Sequence, residues 1–150
     1  MAKKLPNDAL LTEIIQQVSS AKTKKEKVEL LQKYNNNGLR AILIINFDES
    51  LKFLLPEGDV PFNRNEAPAG TEHTRLDHEY KGFYRFFQGG DTSLNNMNRE
   101  KLFIQLLEGL QEDEADLFIA ACNKTIQKKY RVTKAVVSEA FPQIEWGNRG

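Results

Sequence analysis

Cysteine, histidine, net charge and long apolar runs are all scarce in this chain, and each shortage excludes something. One cysteine, Cys122, rules out an intrachain disulfide framework and fits a reducing cytosol. It stands inside the apolar run Leu117–Cys122 and reads as a small core residue rather than a nucleophile. Lys plus Arg and Asp plus Glu both number 21, so nothing draws the whole molecule to nucleic acid or an anionic membrane. Any polyanion partner must then be held by a local patch. Apolar stretches such as Ala41–Ile45 and Leu117–Cys122 are far too short to cross a bilayer. The start, Met-Ala-Lys-Lys-Leu-Pro, leads into a polar helix instead of an apolar signal core, so secretion is not indicated. The two histidines, His73 and His78, are five apart, whereas a helix aligns residues three or four apart. They read as exposed polar residues near a helix start, and no metal or other cofactor is expected. Gly89 and Gly90 are not followed by the Lys-Ser/Thr of a phosphate-binding loop.

What is present is helical periodicity. At 150 residues and 40% hydrophobic content, the chain can build one domain with a core. Asn7 or Asp8 can cap a helix over about residues 9–20, with Leu10, Leu11, Ile14, Ile15 and Val18 on one face. Thr23 and Glu26 have capping-box spacing and open a second helix through about Tyr34. The run Asn35–Gly38 reads as a turn that uses left-handed backbone, and Leu39–Phe47 as a buried helix. Asp48 is placed to cap a short helix carrying Leu51, Phe53, Leu54 and Leu55, stopped by Pro56. A Pro/Gly-rich loop then covers about residues 56–72. Helical spacing returns over Arg75–Phe87 with the stripe Leu76, Tyr80, Phe83, Tyr84 and Phe87, then over Arg99–Leu110 and Glu112–Asn123. Thr133 caps a last helix, Lys134–Ala140, and the tail frays after Trp146 docks. These patterns predict an all-α fold: one compact domain, residues 1–150, of about seven short helices.

Charge is sorted along the chain. Lys22, Lys24, Lys25 and Lys27 cluster at the start of the second helix. Lys124, Lys128, Lys129, Arg131 and Lys134 fill the segment before the last one, with no acid until Glu139. Such a patch is usually a solvated face, and its sharper reading is a phosphate-binding surface. The acids Glu108, Glu112, Asp113, Glu114 and Asp116 precede the second cluster and read as a solvated helix start, repelling phosphate from it. The aromatic stripe Tyr80–Phe87 reads as core. It also loosely resembles a sliding-clamp-binding box through Phe83 and the Phe86–Phe87 pair, with Tyr80 where such boxes carry Gln.

Two resemblances add to this reading. The segment I-I-Q-Q-V-S-S-A-K-T-K-K-E-K-V-E-L-L-Q-K-Y resembles the first helical hairpin of the DNA-binding domain of phage ATP-dependent DNA ligases. F-I-Q-L-L-E-G-L and N-K-T-I-Q-K-K-Y-R-V-T-K-A-V-V-S-E-A-F-P-Q-I resemble that domain's closing helices. The K-x-D-G adenylation motif of ligases is absent, so the resemblance implies a DNA-binding module without the enzyme. It implies backbone contacts to duplex DNA by Lys24, Lys25, Lys27, Lys124, Lys128, Lys129, Arg131 and Lys134. Y-N-N-N-G-L-R-A-I-L-I-I-N-F, the loop L-L-P-E-G-D-V-P-F-N-R-N-E-A-P-A-G-T-E-H-T and A-F-P-Q-I-E-W-G are similar to a family of small proteins from large contractile-tailed phages, notably those of cyanobacteria. That similarity implies the cytoplasm of an infected bacterium. The expectation is a non-enzymatic phage accessory protein on duplex DNA, in replication, repair or transcription. The alternative is a protein–protein adaptor or host-takeover factor without DNA binding. Its partner would be a sliding clamp, a polymerase or a host protein, met through Phe62 and Arg64 of the Pro-rich loop.

Overall fold

The structure, a computed structural model, describes residues 10–54, 74–88, 93–144 and 146. The positions of Asn7, Asp8, Phe62, Arg64, His73, Gly89 and Gly90 lie outside them, as do the Pro-rich loop and the tail beyond Trp146. Helix α1 (Leu11–Ser20) buries Leu11, Ile14, Ile15 and Val18, the stripe expected of an amphipathic helix. Helix α2 (Lys24–Lys33) begins where Thr23 Oγ1 accepts the Glu26 N–H at 3.1 Å. It is a polar helix of which Leu31 alone is fully buried.

Helix α3 (Asn37–Phe47) is the apolar run read as a buried helix, capped by Asn36 Oδ1 on the Leu39 N–H at 2.7 Å. Gly38 is not a left-handed turn residue, as its Asn-rich context suggested; it lies within the first turn of α3. Its role is close approach, because a Cβ there would sit 2.6 Å from Asp77 Cα in α4 (Leu76–Glu79). Gly38→Ala is therefore expected to cost about 1–3 kcal/mol by forcing α3 and α4 apart. Urea denaturation measures it, and an unchanged midpoint would refute the packing argument.

The short helix expected after Asp48 does not form. Asp48 Oδ1 instead accepts from the Ser50 N–H at 2.9 Å and the Ser50 hydroxyl at 2.7 Å, closing a tight turn. The chain then runs extended, with Phe53 bridged antiparallel to Phe87. Leu54 N–H donates to the Phe86 carbonyl and Gln88 N–H to the Lys52 carbonyl, both at 2.9 Å. Extension places the Phe53 ring 5.7 Å from Phe87 and 5.4 Å from Phe103, so aromatic packing decided a segment whose apolar content suited either conformation.

The expected helix over Arg75–Phe87 is two pieces. After α4 the chain tightens into a 3₁₀ helix, Tyr80–Phe86. Three residues per turn put Tyr80, Phe83 and Phe86 in one row, which suits an aromatic repeat of three. Helix α5 (Asn96–Gly109) starts three residues before the expected Arg99, with Asn95 as its cap. Arg99 is buried, donating from Nε to the Arg85 carbonyl at 2.8 Å and from a terminal nitrogen to Leu94 O at 2.9 Å. That pins α5 to the 3₁₀ segment. Helix α6 (Glu112–Cys122), a short α7 (Ile126–Lys129) that periodicity did not indicate, and α8 (Lys134–Ala140) complete eight α-helices among the described residues. Thr133 caps α8 as expected. All pack on a single hydrophobic core, with the rings of Phe83, Phe86, Phe103 and Phe118 at its centre. The architecture is all-α.

Candidate nucleic-acid interface

The two lysine clusters lie about a hundred residues apart in sequence and adjoin in space. Lys27 Nζ donates to the Arg131 carbonyl at 2.6 Å, and the Arg131 N–H donates to Ser19 Oγ at 2.9 Å. Helix α2 packs closely on α8, where Gln32 Nε2 reaches the Ala140 carbonyl at 3.2 Å. Lys24, Lys25, Lys128, Lys129, Arg131 and Lys134 are exposed. Lys24 stands 4.0 Å from Glu139, but both side chains are solvated, so the pairing restrains Lys24 little. Lys129 lies 5.5 Å from the ring centre of Tyr130, and Lys134 5.1 Å from that of Trp146.

Lys124 departs from the expected set. It takes the left-handed conformation, φ 60°, which non-glycine residues rarely adopt. Its ammonium turns inward to the carbonyls of Ile45 and Asp48, each at 2.7 Å, closing the C-terminal end of α3. Partial burial lowers its pKa, opposed chiefly by Asp48. As placed, Lys124 is a helix-terminating residue and not part of the basic surface. Lys27 likewise spends a donor on a backbone carbonyl. The same corner is fixed by Asn46, whose Oδ1 accepts the Ile126 N–H at 3.0 Å and whose Nδ2 donates to Gln127 at 2.9 Å.

The acidic run was expected to be solvated and to repel phosphate from the second cluster, and the structure alters both points. Glu112 and Cys122 bound α6, so at about 1.5 Å per residue the acids from Glu112 to Asp116 lie about 15 to about 9 Å along the helix from its basic end. The near end is comparable to the Debye length of about 8 Å at physiological ionic strength and the far end exceeds it, so the repulsion is weakened rather than removed. Glu114 is not solvated at all: its side chain has no exposed surface. One carboxylate oxygen accepts the Leu11 N–H and the other the Leu76 N–H, both at 3.2 Å. Glu114 thus occupies the amino ends of α1 and α4 together, a cap supplied from a distant part of the chain. Burial raises its pKa from 4.5 to about 7; the two backbone N–H donors oppose the rise, Asp77 adds to it and Arg75 offsets it. Arg75 and Asp77 pair with each other at 3.0 Å. Sequence reasoning missed Glu114 by treating five acids as one cluster. The available signal was its position three and four residues before the buried Leu117 and Phe118, on the apolar stripe of α6.

The aromatic segment belongs to the core. Phe83, Phe86 and Phe87 are buried, so the clamp-box reading fails: the rings that would insert into a clamp are already packed, with Phe83 4.7 Å from Phe118. Tyr84 alone of that stripe is strongly exposed, at 53%. Cys122 is buried and burial pushes its thiol well above the usual range, consistent with a packing role. His78 is exposed, beside Asp77 at 3.7 Å. Among the described residues no group of three or more His, Cys, Asp or Glu side chains could hold a metal ion, and no helix is long and apolar enough to cross a membrane.

No curated protein and no solved structure matches the chain. Residues 14–128 match a family described as being of unknown function, DUF6433. The match spans every helix from most of α1 through most of α7, including the first lysine cluster, the buried Glu114 and the start of the second cluster, and the chain belongs to that family.

Proposed function

We propose that this protein is a non-enzymatic accessory factor that binds duplex DNA through its phosphate backbone, serving phage replication, repair or transcription. The observation that carries the reading is the Lys27–Arg131 contact, which joins two separately encoded basic segments into one region. A chain with no net charge holds a polyanion only through such a local concentration of cations. Glu26, Glu29 and Glu139 punctuate the surface, which favours modest affinity. Nothing in it resembles a base-reading element, so binding is expected to be nearly independent of sequence.

Fluorescence anisotropy with intact and nicked duplexes over a salt series tests this. If three to five phosphates are neutralised, log affinity should fall with log salt with a slope of about −3 to −5. The variant carrying Lys128→Glu, Lys129→Glu and Arg131→Glu, all at exposed positions, should lose binding at moderate salt and flatten the slope by about three. Folded wild-type protein that fails to bind at low salt would overturn the reading and turn attention to the adaptor alternative.

A further inference from the structure

Resting on that reading, we propose that Trp146 is a positioning residue for phosphate recognition, holding Lys134 ready at the surface. After α8 the chain turns back, with the Ile144 N–H donating to the Phe141 carbonyl at 3.1 Å. The turn lays the indole of Trp146 along α8. Its Nε1–H donates to Ser138 Oγ at 3.1 Å, and Lys134 Nζ stands 5.1 Å from its ring centre. Lys134 and Ser138 are four residues apart and share one helix face, so a single flat ring meets both.

Lys134 stands against an aromatic ring, as Lys129 does against Tyr130, and differs in this from the neighbours that meet carbonyls. Lys27 and Lys124 spend N–H donors on carbonyls. An aromatic face restrains an ammonium through its quadrupole and takes none of the conventional hydrogen bonds a phosphate would accept. Among the described residues, no carbonyl or side chain accepts from the Lys134 ammonium. A lysine loses much rotamer freedom on binding, and a ring beneath it removes part of that loss beforehand. Partial burial of Trp146 against the core keeps the ring itself in place.

Anisotropy titrations on duplex DNA with Lys134→Ala, Trp146→Ala, Trp146→Phe and the double variant Lys134→Ala/Trp146→Ala test the inference. Each alanine variant should lose about two- to fivefold in affinity, the range of an exposed cation–π contact. The double variant should be no weaker than Lys134→Ala, and Trp146→Phe should keep most of the affinity and the fold. Because Trp146 is the chain's only tryptophan, its emission should shift in free Lys134→Ala protein and again when wild type binds DNA. Binding with additive losses, or with Trp146→Ala equal to wild type, overturns this inference while leaving the DNA reading standing. No binding by folded wild type removes both.

Discussion

Glu114→Ala is expected to lower stability by about 3–5 kcal/mol, because it leaves the Leu11 and Leu76 N–H groups buried without an acceptor and opens a void. A domain with only about 5–15 kcal/mol in total would retain little margin. Glu114→Gln is the more informative variant. One amide oxygen can serve one N–H, but the amide nitrogen faces the other donor, so a smaller loss of about 1–3 kcal/mol is expected. The pH dependence distinguishes the two states of the native side chain. A folded pKa near 7 against 4.5 in the unfolded chain means that the folded state holds the proton more tightly. The stabilisation associated with that proton is complete below about pH 4.5 and is lost as pH rises through about 7, an effect of about 3 kcal/mol. Urea titrations at several pH values from 4.5 to 8 should show the gap between wild type and Glu114→Gln narrowing as pH rises. Parallel profiles would mean that Glu114 titrates normally and that its burial carries no such linkage.

Phe86→Ala is expected to cost about 3–5 kcal/mol, the second large effect. The ring is fully buried and meets Phe103 edge-on at 5.3 Å and Phe118 at 6.1 Å. Removing it also loosens the site where Leu54 bonds to the Phe86 carbonyl, since the backbone there is held by the same packing. Thermal unfolding should show a drop of about 10–15 °C, and any change in partner binding should follow the unfolded fraction. A variant that kept wild-type stability but lost a protein partner would restore the clamp-box interpretation. Tyr84→Ala, two residues away on the exposed side, should leave stability nearly unchanged and provides the contrast.

Periodicity alone made most of the helices legible. Leu11, Ile14, Ile15 and Val18, or Phe103 with Leu106 and Leu107, leave little choice about which face is buried. Caps that are local were legible too, as at Thr23 and Thr133. The failures share a cause: each was settled by a group distant in sequence. Residues 51–54 took an extended form because Phe87 and Phe103 were there to receive Phe53. Gly38 is set by a helix that begins 38 residues later, at Leu76. Lys124 looked like one cation among five until the carbonyl end of α3 claimed it. The candidate surface was legible as composition, since exposed lysines are where the charge blocks placed them. Its assembly was not, because no local pattern says that Lys27 will meet the Arg131 carbonyl.

That contact has a kinetic meaning. Lys27 and Arg131 are 104 residues apart, so bringing them together closes nearly the whole chain into a loop, at an entropic cost of about 4 kcal/mol beyond the fixed term. Interactions of such long range form late, after the local helices and the phenylalanine centre have drawn the ends together. The basic region is therefore a property of the finished fold and of no fragment. A nascent or partly unfolded chain carries the same lysines as two separate, weak patches, and only completed folding concentrates them.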